Sequence, residues 1–206
     1  MPMDDYTVHI VDDEEAVRKS LAFMLTMNGF AVRVHDSASA FLQFAPGARD
    51  AVLITDLRMP DMSGVDLIRR LGQQKVRIPS VVITGHGDVP MAVEAMKAGA
   101  LDFIEKPFDD TVIIDAIQRA AGQLLDSAVD TDSVEDVQKR VEGLSERERQ
   151  VFSAVVAGLP NKSIAYDLDI SPRTVEVHRA NVMTKMKAKS LPELVRMAMA
   201  AGFGPV

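Results

Sequence analysis

Several short apolar runs in the first 125 residues end on residues suited to phosphate and metal chemistry. Asp12 and Asp13 follow Val8–Val11, and Asp56 follows Ala51–Thr55. Thr84 ends Ser80–Thr84, and Lys106 follows Asp102–Glu105. Three carboxylates, a hydroxyl and an ammonium at neighbouring strand ends would form an acidic cleft. At ~4 Å each carboxylate pair repels by roughly 1–4 kcal/mol, depending on the effective dielectric. A hard divalent cation removes that cost, and Mg²⁺ takes a few carboxylates together with waters and phosphate oxygens. A carboxylate beside such an ion can attack a phosphoryl group and hold it as an acyl phosphate. The metal and Lys106 would then offset charge on the transferring oxygens. Any one of these aspartates alone reads as a helix cap or a loop acid. Five suitable residues at four strand ends are hard to assign to capping.

The cleft exists only if the runs are strands of one sheet. Ala31–His35 supplies one more strand. Between the runs lie helical patterns: Val17, Leu21, Met24, Leu25 and Asn28 with Gly29 as the stop, then Phe41 and Leu42 behind a Ser37 cap. Gly64, Leu67, Ile68 and Leu71 mark a third helix, Asp88 and Pro90 open a fourth that Gly99 closes, and Ile113, Ile117, Ala120, Ala121 and Leu124 stripe a fifth. Five such units predict an α/β doubly wound five-stranded parallel sheet. Its carboxyl edge is where such sheets bind ligands.

Residues 126–133 are acidic, small and without periodicity, and read as linker. Val134, Val137 and Val141 recur at helical spacing, so the second half of this segment can be helical. The expected division is 1–125, a linker over 126–143, and 144–206.

The last part is all helical. Ser145-Glu146-Arg147-Glu148 has the form of a capping box. A helix with Val151, Phe152, Val155 and Val156 ends before Gly158. A short helix with Ile164, Ala165 and Leu168 follows, then a tight turn at Asp169-Ile170. Ser171-Pro172 opens the next helix, running to about Lys185, and a last helix starts near Leu191. Two helices across a short turn form a helix-turn-helix, a DNA-binding arrangement. On the second, Arg173, Glu176, Val177, Ala180 and Thr184 share one face, and Val175, Val182 and Met186 the other.

Charge divides the same way. Residues 1–124 hold 12 Lys+Arg against 18 Asp+Glu, residues 125–143 hold 2 against 6, and residues 144–206 hold 9 against 6. The net charge of −7 therefore covers an acidic front and a basic tail, the tail suited to nucleic acid. With no cysteine, disulfides and thiolate metal sites are excluded. The acidic start Met1–Asp5 is unlike a signal peptide, and no apolar run reaches the ~18 residues of a membrane span. A cytoplasmic protein is expected.

The segments Val11-Asp12-Asp13, Thr55-Asp56-Leu57-Arg58-Met59-Pro60-Asp61-Met62-Ser63-Gly64, Thr84-Gly85 and Lys106-Pro107 resemble the receiver domains of two-component response regulators, over residues 5 to about 124. That resemblance implies Asp56 as phosphoacceptor, and Asp12, Asp13 and the Arg58 backbone carbonyl as the Mg²⁺ pocket around it. It also implies that Lys106 and Thr84 meet the phosphoryl group, that Phe103 is an aromatic switch residue, and that the Lys106-Pro107 bond is cis. Burial statistics alone would make Phe103 a strand core residue.

Residues 144–201 resemble the LuxR-type DNA-binding domain through Leu144–Glu148, Gly158–Ala165 and Ser171–Arg179. Arg173 could bond guanine edges or phosphate, Glu176 accept from cytosine, and Val177 touch a thymine methyl. Ala180 lies on that face, Thr174, Lys162 and Ser163 could hold phosphates, and Lys185 with Lys187 and Lys189 adds sequence-independent attraction. Many such helices carry Lys at the position of Glu176. The glutamate either reads a base or pairs with Arg173 or Arg179. The two-domain arrangement is similar to the FixJ type of nitrogen-fixation regulator. That likeness implies a FixL-like sensor histidine kinase, promoter DNA, RNA polymerase as the target of activation, and a homodimer on phosphorylation.

Two other readings differ in class. A Mg²⁺-dependent phosphohydrolase of the haloacid dehalogenase type carries a second Asp two residues after its nucleophile, and here Arg58 stands there. A ligand-sensing LuxR-type regulator would need a small-molecule pocket in place of the acidic cleft.

Overall fold

The computed structural model describes residues 6–125 and 134–203. The acidic start, the first half of the linker (126–133) and the last three residues lie outside the described residues.

Five strands, β1 (Thr7–Val11), β2 (Ala31–His35), β3 (Ala51–Asp56), β4 (Ser80–Thr84) and β5 (Asp102–Glu105), form one parallel sheet in the order β2-β1-β3-β4-β5. The central strands β3 and β4 are buried throughout and largely apolar because both faces are covered. Val8, Ile10, Val52, Ile54, Val81 and Ile83 pack with Leu21 and Leu25 of α1 (Glu15–Met27) and Ile113 and Ile117 of α5 (Asp110–Leu125). The alternate residues Val11 and Leu53 pack with Phe41 of α2 (Ala38–Phe44) and Leu67 and Leu71 of α3 (Gly64–Gln73). The period of two along each strand thus separates two apolar layers. Helix α4 (Val89–Ala98) joins β4 to β5.

Local signals act where expected. The Ser37 hydroxyl accepts the Ala40 N–H at the start of α2, and Ser63, not foreseen as a cap, accepts that of Asp66 at the start of α3. Gly29, at φ 89°, takes the left-handed turn that stops α1. A 3₁₀ turn over Ala45–Gly47, unforeseen in the sequence, extends α2.

A separate core holds the C-terminal helices α6 (Val134–Glu142), α7 (Glu146–Ala157), α8 (Asn161–Asp167), α9 (Pro172–Met186) and α10 (Leu191–Ala200). Val137 and Val141 of α6 are buried in it with Val151, Phe152, Ile164, Val175, Val182 and Met186. The helical half of the linker segment therefore belongs to this core. Arginines hold helix carboxyl ends: Arg140 donates to the Met186 carbonyl (3.1 Å) and Arg149 to that of Glu142 (3.4 Å).

One buried polar pair was not legible beforehand. His9 Nδ1 and His35 Nε2 lie 2.9 Å apart, with the rings stacked. Phe41 and Phe44 flank them, and Arg33 lies over Phe44. One nitrogen must donate and the other accept, so the contact cannot survive with both rings protonated. Burial, then His35, then Arg33 push the His9 imidazole down to about 4. Burial and Arg33 also lower His35, with Asp36 opposing.

Neutral His9 therefore contributes stability that is full above the ordinary value near 6.5. That stability is lost as pH falls from there toward about 4. The full window corresponds to about 3 kcal/mol at 1.36 kcal/mol per unit. We expect urea unfolding of the first domain to show this decline, and His9→Gln to remove most of it. An unchanged pH slope in His9→Gln would assign the effect elsewhere.

Candidate functional site

Strand register builds the cleft. Val11 faces Thr55 across β1–β3, and Asp56 faces Ile83 across β3–β4. Thr84 pairs with Glu105 across β4–β5, and its carbonyl accepts the Lys106 N–H at 2.7 Å. Residues far apart in sequence therefore leave the sheet at the same edge. Lys106 Nζ lies 2.9 Å from Asp56 Oδ1 and 3.0 Å from Asp12 Oδ2. The Lys106-Pro107 bond is cis, as the receiver resemblance implies.

Asp12 and Asp56 are 1% and 8% exposed, so neither charge is dispersed by bulk water. Their other oxygens are also engaged. Asp12 Oδ1 accepts the Glu14 N–H at 2.8 Å, and Asp56 Oδ2 accepts the Arg58 N–H at 2.7 Å. Arg18 reaches the Asp12 carbonyl at 2.6 Å. Burial alone would lower the Lys106 ammonium. The hydrogen bonds the ammonium donates to Asp56 and Asp12, with their charges, outweigh burial and hold the group above the ordinary lysine value. Asp13 is exposed beside this trio.

Two carboxylates against one ammonium leave a negative remainder. Among the described residues, no group of three or more His, Cys, Asp or Glu gathers closely enough to cage a metal. The donor set, two converging carboxylates with a third exposed beside them, fits a hard ion such as Mg²⁺. Such an ion needs only one or two carboxylates and retains waters.

Thr84 and Phe103 stand apart from this trio. The Thr84 hydroxyl donates to the His86 carbonyl and accepts its N–H, both at 3.2 Å. Phe103 is half-buried, and its ring edge lies where a side chain at Gly87 would be. Gly87 N–H donates to Glu105 Oε1 at 3.3 Å. Gly64, at the start of α3, is pressed so close to β3 that a Cβ there would overlap the Asp56 carbonyl oxygen.

In the second core, Ser171 accepts the Thr174 N–H and Pro172 takes the first position of α9. Arg173, Glu176, Val177, Ala180 and Thr184 are all exposed, whereas Val175, Val182 and Met186 are buried. The face set out by helical spacing is open to a duplex. Lys162 is exposed at the start of α8, with Ser163 half-buried beside it. Glu176 lies 3.9 Å from Arg173, a loose contact, while Arg179 donates to Asn161 Oδ1 at 2.7 Å.

Lys185, expected as a source of attraction to DNA, is exposed and has an ion-pair partner that the sequence did not suggest. Its ammonium lies 2.6 Å from Oε2 of Glu148, whose side chain is 7% exposed. A carboxylate so buried requires a counter-charge, and Lys185 supplies it. The two residues are 37 apart in sequence, so no local signal announces the pair.

The family model for the response regulator receiver domain matches residues 8–118, and that for bacterial regulatory proteins of the luxR family matches 142–198. The chain is 77% identical over 203 residues to the transcriptional regulatory protein FixJ of Rhizobium meliloti, covering 98% of this chain and all of that one. The chain belongs to the FixJ-like response regulators. FixJ of Azorhizobium caulinodans is 56% identical, over 96% of this chain and 94% of its own. Crystalline full-length FixJ from B. japonicum matches at TM-score 0.57 and 48% identity, over 98% of this chain and 99% of that one. The crystal structure titled FixJ-N matches at TM-score 0.56 and 74% identity, over 62% of this chain and 98% of its own.

As a FixJ-like response regulator, the protein is a transcriptional regulator with a receiver and a LuxR-type DNA-binding domain. Among the described residues, no helix is long and apolar enough to cross a membrane. The charge balance of the receiver cleft makes opposite demands on its members. We expect Lys106→Met to lower receiver stability by about 1–3 kcal/mol, because two buried carboxylates lose their partner. Asp56→Asn, which removes the excess charge, should leave stability at or above wild type. Urea unfolding of the two variants checks both signs, and a Lys106→Met variant as stable as Asp56→Asn would refute this balance.

Proposed function

We propose that the protein accepts a phosphoryl group on Asp56 from a sensor histidine kinase and, so modified, dimerises and activates promoters. The observation that carries this reading is the Asp12–Lys106–Asp56 cluster at the carboxyl edge of the sheet. A carboxylate oxygen of Asp56 attacks phosphorus, the bond from phosphorus to the donor imidazole nitrogen breaks, and the electron pair leaves with the imidazole. Lys106, already on Asp56 Oδ1, offsets charge on the transferring oxygens. Mg²⁺, bound by Asp12, Asp13, Asp56 and the Arg58 carbonyl, would neutralise charge on the phosphoryl oxygens. Arg58 stands where a hydrolase of this type would carry its second aspartate. That supports a long-lived acyl phosphate over steady turnover, and a regulator rather than an enzyme.

In this reading residues 1–125 form the receiver and 144–206 the DNA-binding domain; of the segment 126–143 expected as linker, α6 packs with the DNA-binding helices, which leaves the linker to the residues before it. Arg173, Glu176, Val177 and Ala180 face base edges, and Lys162, Ser163 and Thr174 face phosphates. The FixJ likeness favours a FixL-like kinase, contact with RNA polymerase, nitrogen-fixation or microaerobic genes, and a cytoplasmic location.

Activation is a population shift. Phosphate on Asp56 brings charge and strong acceptors to the sheet edge. Thr84 would leave His86 to meet those oxygens, and Phe103 would move into the space released. Turning a 1:99 equilibrium into 99:1 requires about 5.5 kcal/mol. Two or three charge-assisted hydrogen bonds of roughly 1.5–3 kcal/mol each supply that scale.

Radiolabelled acetyl phosphate tests the chemistry. Stable label is expected on wild type and none on Asp56→Asn. Equal labelling of the two would reject Asp56, and rapid phosphate release would favour the hydrolase. Thr84→Ala should take up label yet dimerise poorly in sedimentation of the fully phosphorylated chain. Dimerisation as tight as wild type would remove Thr84 from the switch.

A further inference from the structure

We propose that Glu148 and Lys185 form a positioning pair that sets how α9 meets a duplex, so that Lys185 acts on DNA through Glu148 and not by touching phosphate. This rests on the DNA-binding reading above.

A single carboxylate oxygen does two jobs. Glu148 Oε2 accepts the Ser145 N–H at 2.8 Å, closing the capping box at the start of α7, and also takes Lys185 Nζ at 2.6 Å. The hydrogen bonds from Lys185 and Ser145 hold the Glu148 carboxyl at about 2, so it stays ionised at any working pH. The start of α7 is thereby tied to the last turn of α9. Two other basic residues tie α9 to its neighbours: Arg179 to Asn161 of α8 and Arg140 of α6 to the Met186 carbonyl.

The lever is long. Lys185 lies 12 residues beyond Arg173, about 18 Å along a helix rising 1.5 Å per residue. A tilt of about 5° pivoting at the pair would displace the reading end by on the order of 1.5 Å over that length. Such a shift is enough to break hydrogen bonds to base edges, which require donors and acceptors within a few tenths of an ångström. The Lys185 side chain is 44% exposed, but pulling its ammonium off Glu148 toward a phosphate would leave a buried carboxylate unpaired, so the ammonium stays on Glu148. The ammonium therefore orients the helix.

The two roles separate by salt dependence and by which duplex is affected. A phosphate contact contributes about 0.9 to the slope of log affinity against log salt and acts on every sequence alike. A positioning pair changes sequence reading and leaves that slope alone. The probes are a duplex selected by the full wild-type chain from a randomised pool and sheared mixed-sequence DNA. The chain is first treated with acetyl phosphate and Mg²⁺, and binding is read by fluorescence anisotropy.

Glu148→Gln and Lys185→Met should each lose about tenfold on the selected duplex, the scale of one base contact. Each should bind mixed DNA as wild type does, with an unchanged salt slope, and the double variant should be no weaker than either single. Glutamine still completes a capping box, so Glu148→Gln keeps the start of α7. It decides the matter even if Lys185→Met fails to fold, because a disturbed phosphate contact would change mixed DNA and the selected duplex alike. Wild-type binding by Glu148→Gln, or a slope flattened by about 0.9 in Lys185→Met, overturns the pair alone. If the wild-type chain selects no duplex, the DNA-binding reading falls and the pair with it.

Discussion

A single ammonium at the carboxyl edge of the sheet faces two buried carboxylates, and the receiver is organised around that unequal match. Asp12, Asp56 and Lys106 come from three strands whose neighbours in the sheet are set by register alone. Lys106 cannot satisfy both acids fully, so a surplus of negative charge remains. That surplus is uncomfortable for a folded domain and useful for chemistry. It would make the edge a place for a hard cation, which cancels the surplus and leaves the ammonium free to meet an anionic group. The burial of the largely apolar strands β1, β3 and β4 supplies the stability to hold it.

The second core solves a similar problem with equal numbers. Glu148 is as deeply buried as Asp56, but one lysine balances it completely. A balanced pair has no charge left to attract a cation and resists change, which suits a strut. The unbalanced trio is the opposite, a site that responds to what is added to it. Two carboxylate–lysine clusters in one chain thus differ in role through one extra negative charge.

Much of this was readable from the sequence, for local reasons. Capping at Ser37, Ser145 and Ser171 depends on a few neighbouring residues, and the strand ends carrying Asp12, Asp56, Thr84 and Lys106 follow from short runs. The exposed face of α9 follows from its period. What escaped depends on distance along the chain. The His9–His35 stack joins residues 26 apart, and Glu148–Lys185 joins residues 37 apart. Neither leaves a mark in any local window. For Lys185 the charge is visible in the sequence, but its partner Glu148 is not. The same holds for Thr84, whose type suggested a phosphoryl contact while its present partner, the His86 backbone, is set by the conformation of the loop.

Gly64 carries no chemistry, yet it abuts the peptide carbonyl of Asp56 so closely that α3 can begin there only without a side chain. Any replacement must push the backbone that carries Asp56, the proposed acceptor. A genetic screen for strains that ignore their signal would therefore recover substitutions at this silent position alongside those at Asp56 itself. The phenotype would look like loss of a reactive group, although every reactive group would still be encoded.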